Sequence, residues 1–226
     1  MSIAISATTL QDRFIDALRP ADGIAPLLLR LYLAPVMVQA GWTKFMAFDD
    51  TAAWLGNPDW GLGLPLPELL AFLAAGTELV GGIALLVGLA TRWFAIPLIF
   101  TMLVAIFAVH WENGWLALSD SSSWLANERV MEAAPRKEAA IAILKEHGDY
   151  GWLTARGPIT ILNNGIEFAA TYLIMLISLL FTGGGRYTSA DFWIARAVAP
   201  GRLDAAHVRS GCNETSSHAS IAATNH

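Results

Sequence analysis

The chain of 226 residues is 55% hydrophobic and 15% charged, whereas soluble domains average about 45–50% apolar and about 25% charged residues. Its net charge of −5 argues against a nucleic-acid-binding surface, and its single cysteine, Cys212, excludes an internal disulfide. Because the apolar residues are concentrated in blocks, the composition indicates membrane spans rather than one large core.

Residues 1–23 are predicted to form a cytoplasmic interfacial segment. Leu10, Phe14 and Leu18 recur there at helical spacing, which is typical of an amphipathic helix at a membrane surface. The segment lacks the basic start and apolar centre of a cleaved signal peptide, so we expect it to remain on the chain.

Four apolar blocks predict four membrane-spanning helices, at residues 24–44, 66–89, 93–111 and 159–182. The third is the clearest, since WFAIPLIFTMLVAIFAVHW contains no Asp, Glu, Lys or Arg and carries tryptophan at both ends. Buried helices of a soluble bundle are the alternative, but four such blocks leave too little polar sequence to cover them. The predicted fold class is therefore an all-α integral membrane four-helix bundle, with its domain at residues 24–198.

The basic residues near the span ends predict that both termini are cytoplasmic. Arg92 lies in the short connection between the second and third spans, and further arginines follow the fourth span. The first connection is acidic instead, with Asp49, Asp50 and Asp59. Lys44 is the exception, because this rule places it on the outer side.

The segments outside the spans carry weaker signals. In the outer connection, residues 112–158, the stretch PRKEAAIAILKEH predicts a helix that begins at Pro135. A turn at residues 183–185 and a short amphipathic helix should follow the fourth span. Residues 199–226 are polar and aperiodic, which predicts a disordered tail. The spacing of His207, Cys212 and His218 in this tail fits no compact metal site, so no metal site is predicted.

Three spans carry a charged residue, and each of them also has small or polar residues at helical spacing. Such a face should be directed towards the other helices, because polar groups in lipid must face the bundle. The predicted faces are Arg30, Ala34, Met37, Gly41 and Lys44 on the first span; Ala74, Glu78, Gly81, Gly82 and Leu85 on the second; and Asn164, Glu167, Thr171, Ile174 and Ser178 on the fourth.

Depth in the membrane predicts a buried ion pair between Arg30 and Glu78. At a rise of about 1.5 Å per residue, Glu78 lies about 18 Å from the outer start of its span, and Arg30 lies about 21 Å from Lys44. Pairing would offset much of the roughly 2.5–3.5 kcal/mol that a charge at the membrane centre costs. The pair could equally serve structure alone, by fixing how the helices pack.

A second polar layer is predicted nearer the outer face, with Lys44, His110, Asn164 and Glu167 as a candidate ligand or proton site; Asn163 is an alternative to Asn164. Lysine, histidine and asparagine can donate hydrogen bonds to the carbonyl oxygens of a quinone, and Glu167 or His110 can transfer protons. His110, which stands beside Trp111, could instead be an interfacial anchor.

The stretches LLLRLYLAPVMVQAGWTKF and TELVGGIALLVGLATRW resemble the DoxX family of small four-helix membrane proteins. The shared features are the arginine of the first span, G-x-x-K-F at its end, and E-x-x-G-G followed by L-x-x-G-x-x-T-R. The closing stretch NNGIEFAATYLIMLISLLFTGGGRYTSADFW resembles a branch that accompanies bufferin-type copper-binding peptides in bacterial operons. The resemblance covers residues 24–194, although the insert at residues 112–158 departs from the shortest family members.

The resemblance implies a multi-pass protein of the bacterial inner membrane. It implies a component of a redox or copper- and oxidative-stress system that could interact with quinone, as an accessory subunit of a quinone-linked oxidoreductase. The alternative is a non-enzymatic scaffold or small-solute transporter that serves a copper-peptide system. The expected partners are the lipid bilayer, a membrane or periplasmic redox or copper-handling protein, and a second copy of the chain. No catalytic residue and no cofactor besides quinone is assigned, since the chain has no C-x-x-C motif and no glycine-rich nucleotide loop.

Overall fold

The structure, a computed structural model, describes residues 13, 14, 17 and 21–198. Most of the predicted interfacial segment, residues 1–23, lies outside the described residues. The whole predicted tail, residues 199–226, lies outside them as well, and with it His207, Cys212 and His218.

Across the described residues the regular elements are helices, without a β-strand, which confirms the all-α fold class. The helices are α1 (Ile24–Met46), α2 (Phe48–Gly56), α3 (Pro67–Val87), α4 (Thr91–Val104), α5 (Glu128–His147), α6 (Tyr150–Thr154), α7 (Glu167–Thr182) and α8 (Ala190–Val198). Helix α4 continues through a π-helical turn, Ala105–His110, and a 3-10 turn, Trp111–Asn113.

Three of these helices are long and apolar enough to cross a membrane: Ile24–Met46, Pro67–Val87 and Thr91–Asn113. They coincide with the first three predicted spans. Helix α7 is equally apolar but has 16 residues, which extend about 24 Å at the α-helical rise, compared with about 30 Å of hydrocarbon.

The helix of the fourth predicted span begins at Glu167, eight residues after the predicted start at residue 159. Residues 161–167 instead run beside residues 114–119. The backbone N–H of Ser119 donates to Ile161 O, and the N–H of Gly165 donates to Leu116 O. A helix cannot continue here because Asn164 has a φ of 59°, in the left-handed region, and a Cβ at Gly165 would overlap the Leu116 carbonyl.

Helix α5 begins earlier than predicted, at Glu128, and Pro135 lies inside it. The side chain of Asn127 caps the first turn, since its Oδ1 accepts a hydrogen bond from the N–H of Val130 at 3.1 Å. Proline removes one backbone hydrogen bond from a helix interior, but this cap defines the start of α5 before that position.

Helices α1 and α3 pack with their backbones in close approach. A Cβ on Gly41 would lie 2.5 Å from Leu79 N and 2.7 Å from Ala75 O, and one on Gly82 would lie 2.8 Å from Val38 N. The two helices are therefore antiparallel, and glycine permits the contact because it lacks a Cβ. The core beside this contact contains Leu33, Met37, Leu85, Leu98, Leu176 and Leu179.

Burial confirms two of the predicted interior faces and corrects the third. On α1 and α3, the buried positions include Arg30, Ala34, Met37, Gly41, Glu78, Gly81, Gly82 and Leu85. On α7 the predicted face is wrong, since Thr171 and Ile174 are exposed while Ala169, Leu176 and Leu179 are buried. The hydroxyl of Thr171 donates to Glu167 O at 2.8 Å, so this polar group is satisfied without facing the bundle.

Candidate functional site

The carboxylate of Glu78 lies in the middle of α3 and is paired with Lys44. Lys44 Nζ donates to Glu78 Oε2 at 2.5 Å. The Glu78 side chain is 5% exposed and the Lys44 side chain 35%, so a buried anion is held by a cation that remains partly accessible. Lys44 occupies the last turn of α1, where a cation also favours the helix dipole.

Arg30 is not the partner of Glu78, which corrects the predicted ion pair. Its Nη1 donates to the carbonyl oxygens of Leu85 and Leu86, both at 3.2 Å, and its Nη2 donates to Thr188 O at 2.8 Å. Carbonyl groups at a helix C-terminus lack intrahelical partners and carry partial negative charge. The guanidinium therefore caps α3 instead of neutralising its carboxylate.

The register between α1 and α3 explains this difference. Gly41 lies against Ala75 and Leu79, and Gly82 lies against Ala34 and Val38. By that register Arg30 is level with the C-terminal end of α3. The predicted depths assumed that the C-terminal end of α1 and the N-terminal end of α3 lie at the same level. In the structure, the N-terminal end of α3 extends beyond the C-terminal end of α1. Helix α2 covers that extension, where Ala52 and Leu55 pack against Ala71.

The end of the bundle that contains Arg30 is closed by the segment after α7. Asp191 accepts hydrogen bonds from the N–H groups of Ala90, at 2.6 Å, and Thr91, at 3.0 Å, which begin α4. A carboxylate at a helix N-terminus satisfies unpaired N–H groups and favours the dipole. The sequence analysis did not identify Asp191 as a functional or structural residue. The one available indication was that Asp191 lies in TSADFW, within the closing stretch that resembles a known branch of proteins.

At the other end of the bundle, the turns around His110 are joined to the start of α7. His110 Nδ1 lies 2.9 Å from Asn164 O, and Asn113 Nδ2 donates to the same oxygen at 3.0 Å. A carbonyl oxygen can only accept, so the His110 Nδ1 carries the proton in this bond. Glu167 Oε2 accepts from the N–H of Ala117 at 2.9 Å.

The structure does not bring the four residues of the predicted polar layer together, but divides them between two hydrogen-bonded groups. Lys44 bonds to Glu78 between α1 and α3, whereas His110, Asn164 and Glu167 bond to the segments where α4 ends and α7 begins. Asn164 contributes its backbone carbonyl to this second group. His110 ends a π-helical turn, a feature that occurs frequently at functional sites.

Asn163, the alternative to Asn164, is the buried asparagine, at 2% exposure. Its Nδ2 donates to the carbonyl oxygens of Asn113, at 2.8 Å, and Leu116, at 2.6 Å. Its Oδ1 accepts from Arg129 Nε at 3.2 Å. This amide therefore links the residues that follow α4, at Asn113 and Leu116, to Arg129 of α5.

Apolar helices of membrane-spanning length, with an ion pair between two of them, define a small multi-pass helical membrane protein. The DoxX family profile matches residues 25–111, which include Arg30, Lys44 and Glu78 and end just after His110. The chain belongs to the DoxX family. The other two residues of the predicted layer, Asn164 and Glu167, lie beyond the matched region.

Two relatives support this assignment. The chain is 31% identical over 86 residues to "Putative oxidoreductase CatD" of Bacillus subtilis (strain 168), an alignment that covers 38% of this chain and 60% of CatD. It is 30% identical over 102 residues to "Inner membrane protein YphA" of Escherichia coli (strain K12), covering 44% of this chain and 68% of YphA. The chain therefore spans less than two thirds of CatD. No solved structure matches the chain.

Proposed function

We propose that this DoxX family protein is a component of an inner-membrane redox system, and that its Lys44–Glu78 pair binds a lipid-soluble ligand of the quinone class. The observation that carries the proposal is a nearly buried carboxylate held by a lysine whose side chain remains 35% exposed. An ammonium group has three N–H donors, and only one is needed for Glu78. The others can donate to a quinone carbonyl oxygen.

The surroundings of Lys44 suit such a ligand. Trp42 and Phe45 flank it on α1, are each 54% exposed, and stack with their ring centroids 6.2 Å apart. An exposed aromatic surface beside a cation offers apolar contact for a quinone ring or tail. Reduction of a quinone to a quinol consumes two electrons and two protons. The ion pair would pass protons, while a partner oxidoreductase would supply the electrons.

This proposal makes the chain an accessory subunit of a quinone-linked oxidoreductase. The oxidoreductase name of CatD supports a redox role, although that name belongs to CatD and the aligned region covers 60% of that protein. A link to copper or oxidative stress rests on the resemblance of residues 163–193 to the bufferin-associated branch. The proposed partner is accordingly a membrane or periplasmic redox or copper-handling protein.

We also propose that α7 is a fourth crossing, which would place both termini on one side of the membrane. Arg92, in the short connection between α3 and α4, indicates that this side is the cytoplasm. Two contacts support the fourth crossing: Arg92 Nη2, at the start of α4, donates to Phe181 O near the end of α7, and His110 bonds to Asn164 O just before α7 begins. Helix α7 is therefore antiparallel to α4 and accompanies it over most of its length. A helix of 16 residues can be accommodated by local thinning of the bilayer.

A non-enzymatic scaffold or small-solute transporter for a copper-peptide system is the second candidate. It is favoured by the hydrogen bonds of His110, of Glu167 and of the Asn163 amide nitrogen, which go to backbone groups of the connecting segments. Groups used in this way hold the fold together. A scaffold would depend on that stability and would not require a ligand at Lys44.

Fluorescence of the full chain in lipid nanodiscs, titrated with a short-chain quinone analogue, distinguishes the two candidates. We expect saturable quenching, weakened about tenfold or more in Lys44→Met and in Glu78→Gln, a difference of about 1.4 kcal/mol in binding. His110→Gln is the matched control, because this polar side chain belongs to the other hydrogen-bonded group, and its quenching should stay unchanged. Absence of saturable quenching, with all three variants complementing a redox- or copper-stress phenotype, would establish the scaffold instead.

A further inference from the structure

A cavity of about 500 Å³ lies beyond the end of α4, between helix α5 and residues 161–163, which precede α7. We call it the connection pocket. Its charged and amide lining includes Glu112, Glu128, Arg129, Glu132, Arg136 and Asn163. The pocket is separate from the Lys44–Glu78 pair in its lining residues, and nothing in the proposed redox function uses it.

The lining of the pocket includes one buried polar side chain, Asn163. Asn163, at 2% exposure, is held by two backbone carbonyl groups and accepts from Arg129 Nε at 3.2 Å. This bond orients the planar guanidinium of Arg129. Within residues 21–198 its two Nη groups have no hydrogen-bond partner, so their N–H groups are available to a ligand.

The charges of the pocket are only partly matched by one another. Glu132 Oε2 accepts from Arg136 Nη2 at 3.0 Å, one turn along α5. In the described part of the chain, Glu112 and Glu128 form no ion pair. The lining contains three glutamates and two arginines, and the pairing of Glu132 with Arg136 leaves the Arg129 guanidinium and the carboxylates of Glu112 and Glu128 for a ligand.

We propose that the connection pocket binds a small zwitterion of the amino-acid or short-peptide class, with a preference for one that carries an additional positive charge. A guanidinium fork binds a carboxylate through two parallel hydrogen bonds, and carboxylates bind an ammonium group. The volume falls within the roughly 300–1,000 Å³ of small-molecule sites. A bare metal ion would leave the Arg129 guanidinium without an anion, and an uncharged quinone would leave both the guanidinium and the carboxylates unpaired.

Isothermal titration calorimetry on the full chain in lipid nanodiscs tests this proposal, with glycyl-L-lysine, glycylglycine, L-glutamate and calcium chloride as probes. We expect saturable binding of glycyl-L-lysine, weaker binding of glycylglycine and the weakest binding of L-glutamate. Arg129→Gln and Glu128→Gln should each weaken the first by about tenfold or more. Glu138→Gln, on the same helix but outside the pocket lining, is the matched control and should bind like the parent chain.

Thermal unfolding of the same samples separates loss of the site from loss of the fold. Glu128 is exposed, so the Glu128→Gln variant should keep the parent midpoint even if Arg129→Gln does not. Absence of saturable binding of both dipeptides to the parent chain would overturn the proposal. Undiminished affinity in both pocket variants, or calcium binding that the dipeptides do not displace, would overturn it as well.

Discussion

Lys44 Nζ lies 2.5 Å from Glu78 Oε2, so the carboxylate inside α3 is matched by the ammonium group near the end of α1. The partners differ in accessibility, with side chains 5% exposed for Glu78 and 35% for Lys44. The consequences of removing each partner should therefore differ. A lysine stem can turn its charge towards water, whereas the glutamate has no such route.

Lys44→Met should destabilise the protein more than Glu78→Leu. The first change leaves a buried carboxylate without its cation, which costs about 3–5 kcal/mol, while the second leaves a lysine that can turn outward. The free energies of unfolding in mixed micelles would measure both effects. The double variant should lose less than the sum of the two single losses, and strict additivity would show that the pair contributes no coupling.

Arg30→Met should destabilise the bundle independently of Glu78. The change removes the donors to Leu85 O, Leu86 O and Thr188 O, and each buried acceptor left unsatisfied costs about 1–3 kcal/mol. Its effect should add to that of Glu78→Leu in the same unfolding measurement. Arg30→Lys should recover only part of the loss, because one ammonium group cannot reach both α3 and Thr188 as the planar fork does. Strong coupling between Arg30 and Glu78 would contradict the structure.

Gly82→Ala should disrupt the contact between α1 and α3, since the new Cβ would lie 2.8 Å from Val38 N. Overpacking of this kind costs about 1–3 kcal/mol. Gly76→Ala is the matched control on the same helix, because no atom lies within 4 Å of its Cβ position and alanine is the better helix former. Thermal midpoints in detergent should fall for the first variant and stay equal or rise for the second. Equal midpoints would mean that the two helices are not in backbone contact.

Single cysteines should test the proposed four crossings, after replacement of the native Cys212 by serine. Asp59→Cys and Ser121→Cys lie in the two longer connections, and Leu89→Cys and Tyr187→Cys lie at the opposite end of the bundle; all four positions are exposed. A membrane-impermeant maleimide applied to intact cells should label positions 59 and 121 only. Labelling of position 187 together with 59 would show that α7 does not cross. Labelling of positions 89 and 187, without 59 and 121, would show the inverted orientation.

Sequence alone was sufficient for the fold class and for the interior faces of two helices. Hydrophobic length predicted α1, α3 and the extended α4, because about 20 apolar residues are needed to cross the hydrocarbon core. The spacing of small residues predicted the buried sides of α1 and α3, because that periodicity belongs to each helix by itself. The DoxX resemblance likewise rested on residues within these helices.

The partners of the charged residues were decided only by the tertiary structure. Which cation meets Glu78 depends on how far α3 extends beyond α1, and that offset follows from the packing of α2 on Ala71 and the backbone contacts of Gly41 and Gly82. The start of α7 was decided in the same way, since the backbone of Gly165 pairs with Leu116 of a distant segment at a site that has no room for a Cβ. Register and long-range backbone pairing join separate parts of the chain, and no local pattern of residue types contains them.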